Sequence, residues 1–469
     1  MAGVFFTAGE KKKRAGVYQR YTNNIGTVYA GASDGVVAAI ISSTWGALNE
    51  VVTIDNAAQA VELFGTSGNA YIINEIFAGG ASQVRVVRVG TGGTQATANI
   101  KDTSDVEAIK ITAKCVGTRA FSYAIRAVVG DDTMQEFVLL EGGRVIEKFA
   151  FSKADGINEL INKGKESKYL KFEIAAESTA GALAAIGETA MTAGTNPTVE
   201  TSGYSDALIK LEPFTYNTLC VDSNDVAVHA LVAAYMTRTY QNGKTGIAVI
   251  GEPISVDFET RKNNAKSYND YKVVYVGGGW YSASDELIDG YRAAARMAGM
   301  IAQIPSNQSL THKVIANADR PAEMLTNAQY ESSIDNGMLT FSQAPSGAVW
   351  IENGINTLVN PTGEDDEGWK KIKRTKIRFE VMDRINNVIA PLIGTVNNDA
   401  DGRAAVIQNA QGVLNTMVAE KKLMPGATVT EDAENVPASD SAWFVVVADD
   451  IDALEKVYFT YKFRFTTNS

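Results

Sequence analysis

The sequence predicts an α/β and α+β multidomain protein: a layered α/β core, an inserted β-rich domain and extended terminal arms. Three observations carry this. The chain of 469 residues exceeds one ordinary core and fits about two to four domains. Residues 26–95 and 203–358 both alternate strand-like apolar runs with helical periodicity, the pattern of a parallel or mixed layered sheet. Between them, residues 96–202 read mostly as strands separated by glycine-rich turns. Hydrophobic residues at 45% and charged residues at 21% exclude a disordered chain.

Residues 1–25 form an N-terminal arm. Its apolar clusters, Val4-Phe5-Phe6 and Val17-Tyr18, flank the basic run 11–14, and the segment is too short to bury them alone. They are expected to dock elsewhere, on another subunit. In the small α/β module 26–95, residues 36–41 and 51–54 read as strands. Asn56 caps a helix over 57–64 that stops at Gly65, a second helix over 69–78 ends at Gly79-Gly80, and 84–89 is a strand. Gly90-Thr91-Gly92-Gly93-Thr94 is expected to be a flexible joint into a peripheral domain. Strands there fall at 108–114, 122–129, 136–140 and 145–151, and 189–202 is the return linker. In 203–358, strands at 217–221, 246–250 and 272–276 alternate with helices at 225–241, 260–268 and 285–303. The C-terminal domain, 359–469, opens with an acidic loop. Helices over 375–393 and 403–422 follow, then strands over 443–448 and 455–465.

Chemistry-bearing motifs are sparse. Gly243-Lys244-Thr245 lacks the first glycine of a phosphate loop, since Arg238 stands there, and a helix precedes it where a strand is required. Gly277-Gly278-Gly279 fails the dinucleotide spacing at Ser282 and reads as a structural turn. Only His229 and His312 could serve as a hydrolase base, and no nucleophile elbow accompanies either. Cys115 and Cys220 have no metal-ligand spacing and read as reduced thiols. No cofactor is expected. A net charge of −11 argues against general nucleic-acid binding. No run reaches the ~18 apolar residues of a membrane helix, so no membrane insertion is expected. The N-terminal order of apolar cluster before basic run is not that of a signal peptide.

Two segments suggest contacts with other chains. Residues 370–378 hold six cations in nine positions: Lys370, Lys371, Lys373, Arg374, Lys376 and Arg378. They form either a solvated edge or a surface for an acidic partner. At the C-terminus Val457, Phe459, Tyr461, Phe463 and Phe465 share one face of a period-2 strand. That strand either joins the local sheet or is donated to a neighbour's.

The succession of these signals resembles the contractile-tail sheath proteins of bacteriophages and phage-tail-like particles. The resemblance runs through Gly16-Val17-Tyr18, the 36–41 strand, Val61-Glu62-Leu63-Phe64-Gly65, Ile76-Phe77-Ala78-Gly79-Gly80 and the strand 84–89. It continues in Gly299-Met300-Ile301-Ala302 with Lys313, in Glu352-Asn353-Gly354-Ile355-Asn356, in 369–384 and in the closing aromatic strand. Residues 96–200 show no match. The resemblance implies a structural subunit without catalysis, in which the middle domain is subtilisin-like but has no triad. It implies a homo-oligomer of hexameric rings in a helical stack around a tail tube protein, with baseplate and tail terminator proteins as further partners. Assembly would occur in the bacterial host cytoplasm, and the product would be a virion tail or a phage-tail-like particle. The N-terminal and C-terminal clusters would be inter-subunit arms. The tube-facing candidates are Lys370, Lys371, Lys373 and Arg374, or Arg403, Lys421 and Lys422 on the second C-terminal helix. The alternatives are another self-assembling shell protein or a cytosolic α/β enzyme.

Overall fold

The computed structural model describes residues 35–175, 181–363 and 365–464, with the backbone pairing of 4–5 and 18–19. Phe6, Val17 and Phe465 lie outside the described residues. The apolar strand Val36–Ile41 lies within a seven-stranded sheet. Its order is Met338–Leu339, Val273–Val276, Ile247–Gly251, Thr218–Val221, Val36–Ile41, Gln83–Arg88, Val51–Ile54. Neighbours are parallel except for Val51–Ile54, which runs antiparallel to Gln83–Arg88.

A strand covered on both faces needs apolar side chains on both, so its sequence is continuous rather than alternating. Val37, Ala39 and Ile41 face one core, shared with the helices Ala57–Phe64, Tyr71–Ala78 and Gly290–Gln303. Val36, Ala38 and Ile40 face the other, with Thr201–Leu211, Val226–Gln241 and Phe258–Tyr268. The Asn56 side chain accepts from the Gln59 backbone at 2.9 Å, so the cap holds where its chemistry required it. The stretches 26–95 and 203–358, kept apart in the sequence reading, share one sheet. Val36–Ile41 pairs directly with Thr218–Val221.

The insertion has its own core, built around Ile109, Ile111, Phe137, Phe151 and Leu170. One sheet orders Arg144–Ser152, Asp131–Glu141, Ser122–Val128, Ile186–Ala190; the other orders Leu170–Ile174, Glu107–Val116, Gln95–Lys101. The helix Gly156–Gly164 was not anticipated, although Ile157, Leu160 and Ile161 already have helical spacing.

The expected flexible joint is instead a paired ribbon. The Thr91 N–H donates to the Thr198 carbonyl at 2.9 Å and the Thr198 N–H donates back at 2.9 Å. Thr94 and Thr195, then Thr97 and Thr192, continue the pairing. Arg88, fully buried, donates to the carbonyls of Ser43, Gly46 and Val116, and Trp45 packs edge-on against Phe121 at 5.1 Å. These contacts brace the insertion against the sheet. Because its two ends sit side by side, replacing 92–197 with a short glycine turn is expected to leave the sheet folded. The melting temperature should fall by a few degrees as Trp45 and Arg88 lose partners. A cooperative thermal melt followed by circular dichroism checks this, and an unfolded product would make the insertion part of the core.

In the C-terminal part, the helices Ile372–Ile389 and Ala400–Ala419 pack around Ile377, Val413, Leu414 and Met417. The first starts earlier than predicted because Lys and Arg propagate helices well, and it ends just before Pro391. A hairpin, Thr428–Glu431 with Phe444–Val447, follows. The strand predicted over 455–465 has no ladder partner among the described residues.

Candidate functional site

Beyond Glu455 the chain makes no hydrogen bond or ion pair with the other described residues through 464. Val457, Phe459, Tyr461 and Phe463 are 57, 73, 74 and 93% exposed. Ring centroids of Phe459–Tyr461 and Tyr461–Phe463 are each 6.2 Å apart, the spacing of alternate residues along one face of an extended strand. The segment therefore has strand geometry and an aromatic face left exposed by the other described residues. Near its root, the terminal hairpin leaves Val445, Val446 and Val447 exposed; its Phe444–Val447 edge has no partner among the described residues, whereas Gln411 caps the Thr428–Glu431 edge at the Val429 N–H and the Ala427 carbonyl. At the other terminus, Val4–Phe5 pairs parallel with Tyr18–Gln19, so the backbones of the two apolar clusters meet each other.

Most of the basic candidates are paired or buried within the subunit. Lys370 pairs with Glu367 at 2.6 Å, Lys371 with Asp452 and Glu455, and Arg374 with Asp450. Lys373 is buried, and burial lowers its ammonium pKa. On the second helix and its end, Arg403 pairs with Glu431, while Lys422 is buried against Glu380 and Glu420. Lys421 alone of these candidates is exposed with no ion pair among the described residues.

The residues weighed for catalysis are used structurally. His229 is buried and its Nε2 donates to the Ser223 carbonyl at 2.7 Å. His312 stacks on Trp350 with ring centroids 3.8 Å apart. The Lys244 ammonium donates to the Glu212 carbonyl and lies over the Tyr216 ring. A Cβ at Gly277 would come within 2.2 Å of Met338, so this glycine permits close packing.

One cluster was missed. Open α/β sheets bind ligands at the carboxyl ends of the strands where the order reverses. Here that position, between Val36–Ile41 and Thr218–Val221, holds the buried Asp222. It accepts from the Ser42 N–H and hydroxyl, Asn69 and Tyr204 at 2.5–2.8 Å. Burial pushes its carboxyl above the ordinary range despite these donors. Its partners come from three separate segments, which no local pattern reveals.

Residues 198–357 match the phage tail sheath protein central domain, and residues 35–89 match the domain III N-terminal region of the tail sheath protein Gp18. Together these segments contain all seven strands of the central sheet and none of the strands of the insertion. The uncharacterised protein YqbK of Bacillus subtilis (strain 168) is 22% identical over 99% of this chain and 100% of its own length. The tail sheath protein of Clostridium phage phiCD119 is 23% identical over 49% of this chain and 60% of its own length. The sheath tail protein of Desulfitobacterium hafniense has the same fold. Its TM-score is 0.71 at 21% identity, over 93% of this chain and 100% of that one. The anti-feeding prophage helical sheath in its contracted state gives a TM-score of 0.55 at 10% identity, over 96% of this chain and 99% of that one. The central sheet thus matches two tail sheath family models, and the fold around it is that of solved sheath proteins.

Proposed function

We propose that the chain is the repeating subunit of a contractile sheath. Its subunits stack as hexameric rings around a tail tube and contract to drive the tube through a target cell envelope. The observation that supports this best is the unpaired aromatic strand 456–464. Left open, such an edge is an aggregation hazard. Taken up by a neighbour's sheet it becomes a joint, held by backbone bonds that survive while its tether swings. The exposed valines and the open Phe444–Val447 edge of the terminal hairpin make it the matching acceptor. The N-terminal arm supplies the second link.

In this reading the work comes from subunit interfaces, with a trapped extended lattice relaxing to a lower contracted one, and without catalytic turnover. The domains follow the same division of labour, with the insertion peripheral and the C-terminal domain toward the tube. The further partners are the tube, baseplate and terminator proteins. Assembly takes place in the host cytoplasm and the product is a virion tail or tail-like particle. Electron microscopy of purified subunit, with and without tube protein, tests this. Helical sleeves are expected. Flat sheets would make it a shell protein, and dispersed oligomers with turnover would make it an enzyme.

A further inference from the structure

The terminal strand begins abruptly. Residues 449–455 are held on two sides, and from Lys456 onward the described chain is free. The Met424 N–H donates to the Asp449 carbonyl at 2.8 Å and the Ile451 N–H to the Lys422 carbonyl at 2.9 Å. On the other side stands the basic face of the Ile372–Ile389 helix, with Lys371 just before it. Arg374 grips Asp450 through both carboxylate oxygens, at 2.9 and 2.6 Å, and Arg378 adds a contact at 3.1 Å. Lys371 reaches Asp452 at 2.7 Å and Glu455 at 2.9 Å. Glu455 also accepts from the Ser309 and Thr311 hydroxyls at 2.8 and 2.9 Å.

The arginines are themselves fixed. Arg378 lies over the Trp369 ring at 4.6 Å and donates to Asp366, and both guanidinium groups pack where Gly368 has no side chain. A paired-oxygen arginine contact on a carboxylate that is only 7% exposed is far stronger than an ordinary surface ion pair.

We propose that this basic helix face is a clasp on the root of the terminal strand, presenting the strand to a neighbouring subunit and keeping it off the subunit's own hairpin. Unclasped, residues 448–455 would span up to about 27 Å. That exceeds the length of the four-residue hairpin strand Thr428–Glu431. A loose tail could fold back along its own hairpin and cap the edge a neighbour needs, which is the choice between self-pairing and exchange in any swapped element. The clasp removes that choice. It gives the densest basic run in the chain a role facing inward.

The consequence for assembly rests on the exchanged-strand reading above, whereas the clasp itself can be measured in the isolated subunit. Hydrogen exchange on that subunit is expected to show the bonded amides of Met424 and Ile451 exchanging at least tenfold more slowly than those of 456–464. In Arg374→Glu/Arg378→Glu this protection should vanish while that of the central sheet is unchanged, and the yield of polymer should fall at least tenfold. Adding Asp450→Arg should restore both. Arg374→Gln/Arg378→Gln, which adds no buried like charge, serves if the reversal unfolds the C-terminal helices. The proposal is overturned if the variants leave the Met424 and Ile451 amides protected, or if protection is lost with polymer yield unchanged. It is equally overturned if the triple variant regains protection without polymer, because the arginines would then be touching a partner directly. Polymer formed after deletion of 456–469 would sink exchanged strands while leaving the clasp's protection as a separate result.

Discussion

Deleting residues 456–469 is expected to give a folded subunit that no longer polymerises. Residues 456–464 make no hydrogen bond or ion pair with the other described residues, so their loss should leave the melting temperature within a few degrees of the full chain. Between subunits the same segment would bury Val457, Phe459, Tyr461 and Phe463, each worth ~1.5 kcal/mol or more. Four or so ladder bonds would add ~0.5 kcal/mol or more each. The sum, about 8 kcal/mol per joint, corresponds to an association weaker by about six powers of ten. Sedimentation velocity and electron microscopy read the result. Contractile sleeves built from truncated subunits would refute the exchanged strand, and a truncated chain that unfolds would make 456–469 part of its own core.

The largest effect on stability is expected from Gly299→Val. The helices Tyr71–Ala78 and Gly290–Gln303 cross backbone to backbone. A Cβ at Gly299 would stand 2.1 Å from the Ile76 carbonyl oxygen, and one at Gly79 would stand 2.3 Å from that of Arg296. Neither oxygen can swing aside as a side chain could, so the helices must separate. Separation strains the buried Glu75–Arg296 ion pair at 2.6 Å. Overpacking costs about 1–3 kcal/mol, and loss of a buried pair about 3–5 kcal/mol. A loss of about 4 kcal/mol or more is therefore expected in denaturant unfolding, with Gly299→Ala nearer 2 kcal/mol. A change below about 1 kcal/mol would show that the crossing relaxes freely.

That crossing also shows what could be read from the sequence. Ile76-Phe77-Ala78-Gly79-Gly80 and Gly299-Met300-Ile301-Ala302 were separate signs of the family, and in the structure they are two sides of one contact. Signals within one element were legible: the Asn56 cap, the apolar run 36–41, the alternation before Phe465. Relations between distant segments were not. Nothing local tells Val36–Ile41 that its partner lies about 180 residues onward, because parallel pairing leaves no mark on the intervening chain. The basic run at 370–378 was visible as charge, but most of its neutralisation was not, since apart from Asp366 and Glu367 just upstream the acids lie 72–84 residues downstream. A clue did exist: Asp449, Asp450, Asp452 and Glu455 immediately precede the aromatic strand.

The unpaired strand has a consequence for how such a polymer stops. Where every subunit lends a strand to the next, the last layer laid down always has strands or acceptor edges with no taker. The growing end is chemically unlike the interior, and it stays receptive however long the particle becomes. Length is then a property of whatever meets that end. A cap that occupies one layer of open edges halts growth completely, and a missing cap gives particles of every length from the same subunit.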